Sequence, residues 1–157
     1  MKALTIYQPY AHLIITPQAE LPKDHIQKRV ENRTWATDHR GPLLIHAGKT
    51  RDWLEDDSLA LFPNMVFGAI VGEVDLVDCV WIGKSLHVGA ETRKRHPWLA
   101  DHIHTEGPWC WILERPKRFV RPFPYRGQRK LFDVPDNILC VEKPGLRVVQ
   151  TSFDFLP

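Results

Sequence analysis

The chain has 157 residues, of which 43% are hydrophobic and 25% charged, with a formal net charge of +2. That is the size and composition of one globular domain that buries about two-thirds of its unfolded surface without covalent staples, and as a composition it is globular, not disordered. No apolar run approaches the ~20 residues of a membrane helix, and the N-terminus opens on a strand-like pattern without a signal-peptide layout, so a cytoplasmic location with no membrane partner is expected.

In chain order, residues 2–6 read as a first strand. Pro9 suits the first turn of a helix over Tyr10–Ile15, which Pro17 ends. Residues 17–27 form a loop. Gly41-Pro42 is a turn signal before a short apolar strand over Leu43–Ala47. Thr50 is placed to cap an acidic helix carrying Trp53, Leu54, Leu59 and Leu61. Gly68–Val80 is a long strand rich in β-branched residues. Residues 84–106 read as a helix or an ordered insertion. Trp109–Leu113 is a strand with Trp109, Trp111 and Leu113 on one face. Pro116, Pro122 and Pro124 then impose an extended connection, and Leu131–Val134 and Leu146–Phe155 supply the last strands. About six short strands with two or three helices and Gly/Pro-rich turns predict a barrel or sandwich in a single domain over residues 1–157.

Cys79, Cys110 and Cys140 are an odd, scattered set, which argues against a disulfide framework. No C-x-x-C occurs, and His102-x-His104 alone is too little for a metal site, so neither metal nor cofactor is expected. The charge is uneven. Arg115, Lys117, Arg118, Arg121, Arg126, Arg129 and Lys130 follow one another with no acid between them, interleaved with Phe119, Phe123 and Tyr125. Cations alternating with aromatic rings suit the backbone and bases of a single nucleic-acid strand; the plainer alternative is a solvated loop. Arg93-Lys94-Arg95 is a second basic cluster, while acids gather at Glu55, Asp56 and Asp57.

Lys28, Glu31 and Arg33 lie within six residues. In an extended segment Glu31 and Arg33 project to one face, with Lys28 opposite unless the loop turns. Two cations and an acid suit an anionic or polar ligand, with Arg33 able to grip a phosphate or carboxylate through two donors; the alternative is a surface salt-bridge cluster. Lys28 belongs to no apolar periodicity, so it is expected to act in function without being needed by the fold. Gln8 can read a base edge through its paired donor and acceptor, and Tyr10 and Trp35 can stack on bases. Trp109 is divided between stacking and core packing, and Trp111 is assigned to the core. His46, inside an apolar strand, is expected to be a core residue with a satisfied hydrogen bond. Arg40 is placed to close a cleft or pair with an acid. Glu73 interrupts an apolar strand, so it needs a partner or a raised pKa.

Several of these residues fall in blocks that resemble one family. Gln8-Pro9-Tyr10-Ala11-x-Leu13-Ile14 is similar to the opening Q-P-W-A-x-L-I of ASCH domains, and Lys28-x-x-Glu31-x-Arg33, followed by Trp35, resembles their G-x-K-x-x-E-x-R signature. Arg40-Gly41-Pro42-Leu43-x-Ile45-His46-Ala47 resembles R-G-x-L-x-I-H-A. The strand holding Glu73 resembles the family's central strand; the block from Gly107 to Leu113 and the stretch from Pro122 to Gly127 resemble its closing part. Ile26 stands in place of the signature glycine and Tyr10 in place of the entry tryptophan. The resemblance implies a PUA-like, mainly antiparallel β-barrel with flanking helices, a cleft between helix and barrel, and RNA or a modified nucleoside as the partner of a monomeric protein. Some relatives hydrolyse an acylated cytidine and others are ribonucleases. In the hydrolytic ones a lysine at the Lys28 position and a glutamate on the Glu73 strand are implicated, with a threonine where Glu31 stands here. Three readings follow: a module binding RNA or a modified nucleotide, a hydrolase using Lys28 and Glu73, and a protein-partner module. In the first two, Lys28, Glu31, Arg33 and Glu73 are expected to line one cleft with Gln8, Tyr10 or Trp35 at its wall.

Overall fold

The computed structural model describes residues 1–138. Cys140 and the strand expected over Leu146–Phe155 lie outside the described residues. The elements are β1 (Lys2–Ile6), α1 (Tyr10–Ile15), β2 (Val30–Arg33), β3 (Gly41–Ala47), α2 (Ser58–Leu61), β4 (Ala69–Trp81), α3 (Ala90–Arg95), β5 (Trp109–Pro124) and β6 (Leu131–Asp133). The six strands make one sheet in the order β2-β5-β4-β3-β1-β6. All neighbours run antiparallel except β1 and β3. Parallel neighbours need a long crossover, and the segment from Tyr7 to Arg40, with α1 and β2 in it, provides one.

The sheet curls into a half-barrel around α1. Ile14 and Ile15 of the helix pack against Leu43 and Ile45 of β3, Val74 and Leu76 of β4, and Trp111 of β5, all at most 4% exposed. Full burial of each such side chain contributes about 1.5–3 kcal/mol. Gly72 is what lets the helix come so close. A Cβ there would lie 2.5 Å from the Lys117 carbonyl oxygen and 2.9 Å from an Ile15 methyl. The opposite face of the sheet carries a smaller cluster of Ala3, Leu44, Ile70, Phe132 and Val134. A third cluster, around Val80, Val88, Leu99 and Ile112, roots the segment between β4 and β5.

The mainly antiparallel, half-closed sheet with flanking helices agrees with the α+β, mainly β fold expected. Details differ for physical reasons. β5 runs 16 residues, because the prolines expected to break it fall where it tolerates them. Pro116 and Pro122 sit at irregularities in the β4–β5 register, where no ladder hydrogen bond is lost. β2 was hidden by its sequence, Val30-Glu31-Asn32-Arg33, which has no apolar alternation although it pairs fully with β5. The helix expected from Thr50 shrinks to Ser58–Leu61; the Thr50 hydroxyl accepts from the Asp52 N–H, and the acidic residues before Ser58 stay in turns.

Candidate functional site

The K-x-x-E-x-R residues meet. Lys28 lies just before β2, and its N–H donates to the Leu13 carbonyl at 3.0 Å. Its side chain reaches the same side as Glu31. Lys28 Nζ lies 3.3 Å from one Glu31 oxygen, and Arg33 Nη2 lies 3.0 Å from the other. The ammonium also donates to the Val30 carbonyl at 2.5 Å. Lys28 is 5% exposed and Glu31 8%. Here the structure corrects the expectation that Lys28 is dispensable to the fold. It is buried in an ion-pair network, and a buried charge has to be paired.

Arg33 does a second job. Its Nη2 donates to the Thr5 carbonyl at 3.0 Å. β2 is one edge of the sheet and β1 lies one strand in from the other edge, so this bond crosses the seam where the half-barrel approaches closure. Arg33 Nε, by contrast, is buried and has no partner among the described residues. The trio therefore holds two cations to one carboxylate, and of the guanidinium nitrogens only Nη2 is engaged among the described residues. Tyr10, exposed at the start of α1, places its ring 5.6 Å from Lys28 Nζ. A concavity of about 340 Å³ opens on the far side of Lys28, between Ile14, Val74, Leu113 and the Glu114–Pro116 bulge. That is at the small end of the roughly 300–1,000 Å³ usual for ligand sites.

Other predicted site residues go elsewhere. Gln8 is 1% exposed and both ends of its amide are used internally. Its Oε1 accepts the His12 N–H at the start of α1 and its Nε2 donates to the Val66 carbonyl. It builds the helix start and offers no free edge to a base. Trp35 packs edge-on to Trp111 with ring centres 4.7 Å apart, and its carbonyl accepts the Trp111 indole N–H. Trp111 is fully buried, as a core residue should be. Trp109 is half-buried against the exposed Trp81. Arg40 lies 3.7 Å from Asp78 and bonds the Thr37 and His39 carbonyls, which is the acid-pairing alternative. His46 is only half satisfied. Its Nε2 bonds the Tyr125 carbonyl, whereas its Nδ1 is buried beside Gly127 without a partner among the described residues. Burial and the nearby Lys49 lower its pKa against that hydrogen bond.

Glu73 does not join Lys28. Its cross-strand neighbours are Leu44 and Lys117, and Leu44 belongs to the cluster on the outer face. The adjacent Val74 points the other way, into the core and the concavity beside Lys28. Glu73 instead pairs with Lys117 at 3.1 Å, which satisfies the need for a partner that its burial predicts.

The basic stretch is less free than its sequence suggests, because acids distant in the chain reach it. Arg115 pairs with Asp75 and Glu114, Lys117 with Glu73, and Arg118 with Glu20. Arg121, Arg126, Arg129 and Lys130 are exposed and make no ion pair among the described residues. Sequence reading weighed His102 and His104 only as metal ligands and passed over Arg29 and Trp98, which gather with them near Lys28. The signal for them was the His-x-His spacing combined with a neighbouring tryptophan.

No helix among the described residues is long and apolar enough to cross a membrane. A family profile described as the ASCH domain matches residues 4–123. The human protein Activating signal cointegrator 1 is 27% identical over 156 residues, and its mouse counterpart is 28% identical; each alignment covers 91% of this chain and 24% of the relative. The chain thus spans about a quarter of the length of these curated relatives. Among solved structures, ASCH from Zymomonas mobilis overlays with a TM-score of 0.47 at 13% identity, covering 87% of this chain and 88% of that one. The profile match runs over far more than half of the sequence and contains every residue of the buried charged trio: this chain belongs to the ASCH domain family.

Proposed function

We propose that the chain binds RNA, or a modified nucleotide, at the seam of the half-barrel, with the trio of Lys28, Glu31 and Arg33 as the anion- and carbonyl-recognising element. The observation that supports this reading is a network of two cations to one carboxylate, with the Arg33 side chain a quarter exposed at the seam. Placing charge in a buried site is costly, so a network left one anion short at a surface seam is arranged to receive one. A phosphate oxygen or a base carbonyl supplies the missing acceptor. Tyr10 offers an exposed ring next to that point, which suits an unpaired base. Arg121, Arg126, Arg129 and Lys130 add a sequence-independent field for the rest of a strand. The reading is one of binding, because the second acid–base group of a hydrolase, Glu73, is held by Lys117 on the other face.

The experiment is fluorescence anisotropy of a labelled single-stranded RNA oligonucleotide against wild type and Arg33→Lys, with salt varied. Arg33→Lys retains the charge and removes the forked donors. Saturable binding that weakens with salt, and weakens further by about tenfold in the variant, supports the reading. Equal binding by both proteins places the RNA elsewhere.

A further inference from the structure

His102 and His104 belong to the segment between β4 and β5, outside every motif block of the family resemblance, and among the described residues no three metal-capable groups converge. Their hydrogen bonds nonetheless fix their chemistry. The Arg29 backbone N–H donates to His102 Nε2 at 3.1 Å, so that nitrogen carries no proton and the ring hydrogen sits on Nδ1. His104 Nε2 lies 3.1 Å from the Ile26 carbonyl, which only accepts. That nitrogen therefore carries the proton, and Nδ1 of the neutral ring is an acceptor. Neither Nδ1 has a partner among the described residues and neither is sealed from solvent. The pair thus offers one outward donor and one outward acceptor.

The neutral state is enforced by the surroundings. Burial, then His104, Lys28 and Arg29, push His102 down to about 4. Burial also lowers His104, helped by Lys28 and His25 and opposed by the Ile26 carbonyl and Glu106. The rings are also part of a longer row. Tyr10 and His104 are 6.4 Å apart, His104 and His102 5.5 Å, and His102 and Trp98 5.2 Å, each pair edge to face. A cation stands at each end, Lys28 beside Tyr10 and Arg29 over Trp98 at 4.3 Å.

We infer that this ridge is the base-reading part of the site: a single-stranded RNA anchored at the Lys28–Arg33 trio continues along Tyr10, His104, His102 and Trp98, and the two histidines read base edges through their outward donor and acceptor. This deepens the reading proposed above and rests on it. A row of aromatic rings with a cation at each end suits a single strand. A fixed donor beside a fixed acceptor adds selectivity that stacking alone lacks.

The test uses the full chain and four short RNA oligonucleotides differing in one central base, with anisotropy as the readout. His104→Ala is expected to weaken binding by roughly tenfold, the scale of removing one base–aromatic stack. His104→Phe keeps the ring and loses the acceptor, so it should retain most of the affinity while flattening the preference among the four bases. Wild-type affinity and preference in both variants overturn the ridge. If Arg33→Lys weakens binding in the same assay, the trio survives that result; if no RNA binds wild type, both proposals fall. Because a variant can lose the Ile26 bond and unfold locally, the wild-type ring protons are also followed by NMR. Shifts at His102 and His104 on adding RNA support the ridge, and unmoved signals at saturation overturn it.

Discussion

Residues 28–33 and residues 115–130 both concentrate charge, but they hold it in different ways. In the first, two cations and a carboxylate are drawn into the protein, where each interaction is strong and an absent partner is costly. In the second, cations lie on the surface of β5 and beyond it, and those that face other strands have already found acids there. Seven successive cations look like the stronger site in a sequence, yet three of them are paired with acids from elsewhere in the chain. The shorter cluster is the one that sets two cations against one buried carboxylate. Burial, more than the number of charges, separates a site from a solvated face.

The sharpest way to break this comparison is to remove the shared carboxylate. Glu31→Leu leaves the buried Lys28 and the partly buried Arg33 without a counter-charge. Unfolding free energy in urea should fall by about 3–5 kcal/mol, the cost of splitting a buried pair. A loss below about 1 kcal/mol would make the trio energetically equivalent to a surface cluster. Lys28→Met is milder, since Arg33 still faces Glu31. It should cost about 1–3 kcal/mol through the missing ion pair and the stranded Val30 carbonyl. Unaltered melting with abolished RNA binding would instead restore the view of Lys28 as a purely functional residue.

Much of the fold was legible in the sequence. β1, α1, β3 and β4 follow from apolar runs bounded by Pro9, Pro17 and Gly41-Pro42, because local pattern and tertiary role agree there. β2 was not legible as a strand, since three of its four residues are polar or charged and break the alternation that marks a strand. The grouping of Glu31 with Arg33 was readable from alternation, and Lys28 joins them from the irregular segment before β2, where no periodicity fixes a side chain's direction. The misplacement of Glu73 has a simple origin. Its neighbour Val74 faces the core, and which of two adjacent strand residues points inward depends on register with β3. Gln8 is hard to place for a related reason, as its amide is consumed by a helix start and by the carbonyl of distant Val66.

A third acid, Asp78, extends the comparison to pH. Burial acts to raise its pKa, but the His96 hydrogen bond, the Cys79 N–H and Arg95 together hold it below the ordinary 3.8. The folded form thus has the lower pKa. Its contribution to stability is complete above the unfolded value and is lost as pH falls through the folded one. Asp78 ties α3 and the following segment to β4, so acid should loosen the region around His102 and His104 first. Asp78→Asn should cost about 1–2 kcal/mol at neutral pH and lack that acid-side loss, as read by urea unfolding at pH values from 7 down to about 2. A variant curve parallel to wild type throughout would deny Asp78 any part in acid sensitivity.

The smallest effect on stability is expected at the exposed cations. Reversing Arg121, Arg126 and Arg129 to glutamate should move unfolding free energy by about 0.5 kcal/mol or less. RNA affinity should drop alike for all sequences, and the slope of log affinity against log salt should flatten by about 0.7 for each phosphate no longer neutralised. An unchanged slope would return this stretch to a solvated face.

The central claim is that the trio is completed by a ligand oxygen at the partly exposed Arg33 guanidinium, of which Nε–H is a reporter. The most direct measurement is the heteronuclear NMR signal of the Arg33 Nε–H during titration with single-stranded RNA. A saturable shift and slower solvent exchange at that one proton, in step with binding, are the predicted result. Binding saturated with the Arg33 Nε–H unmoved would contradict the claim and leave the trio as a structural clasp of the half-barrel.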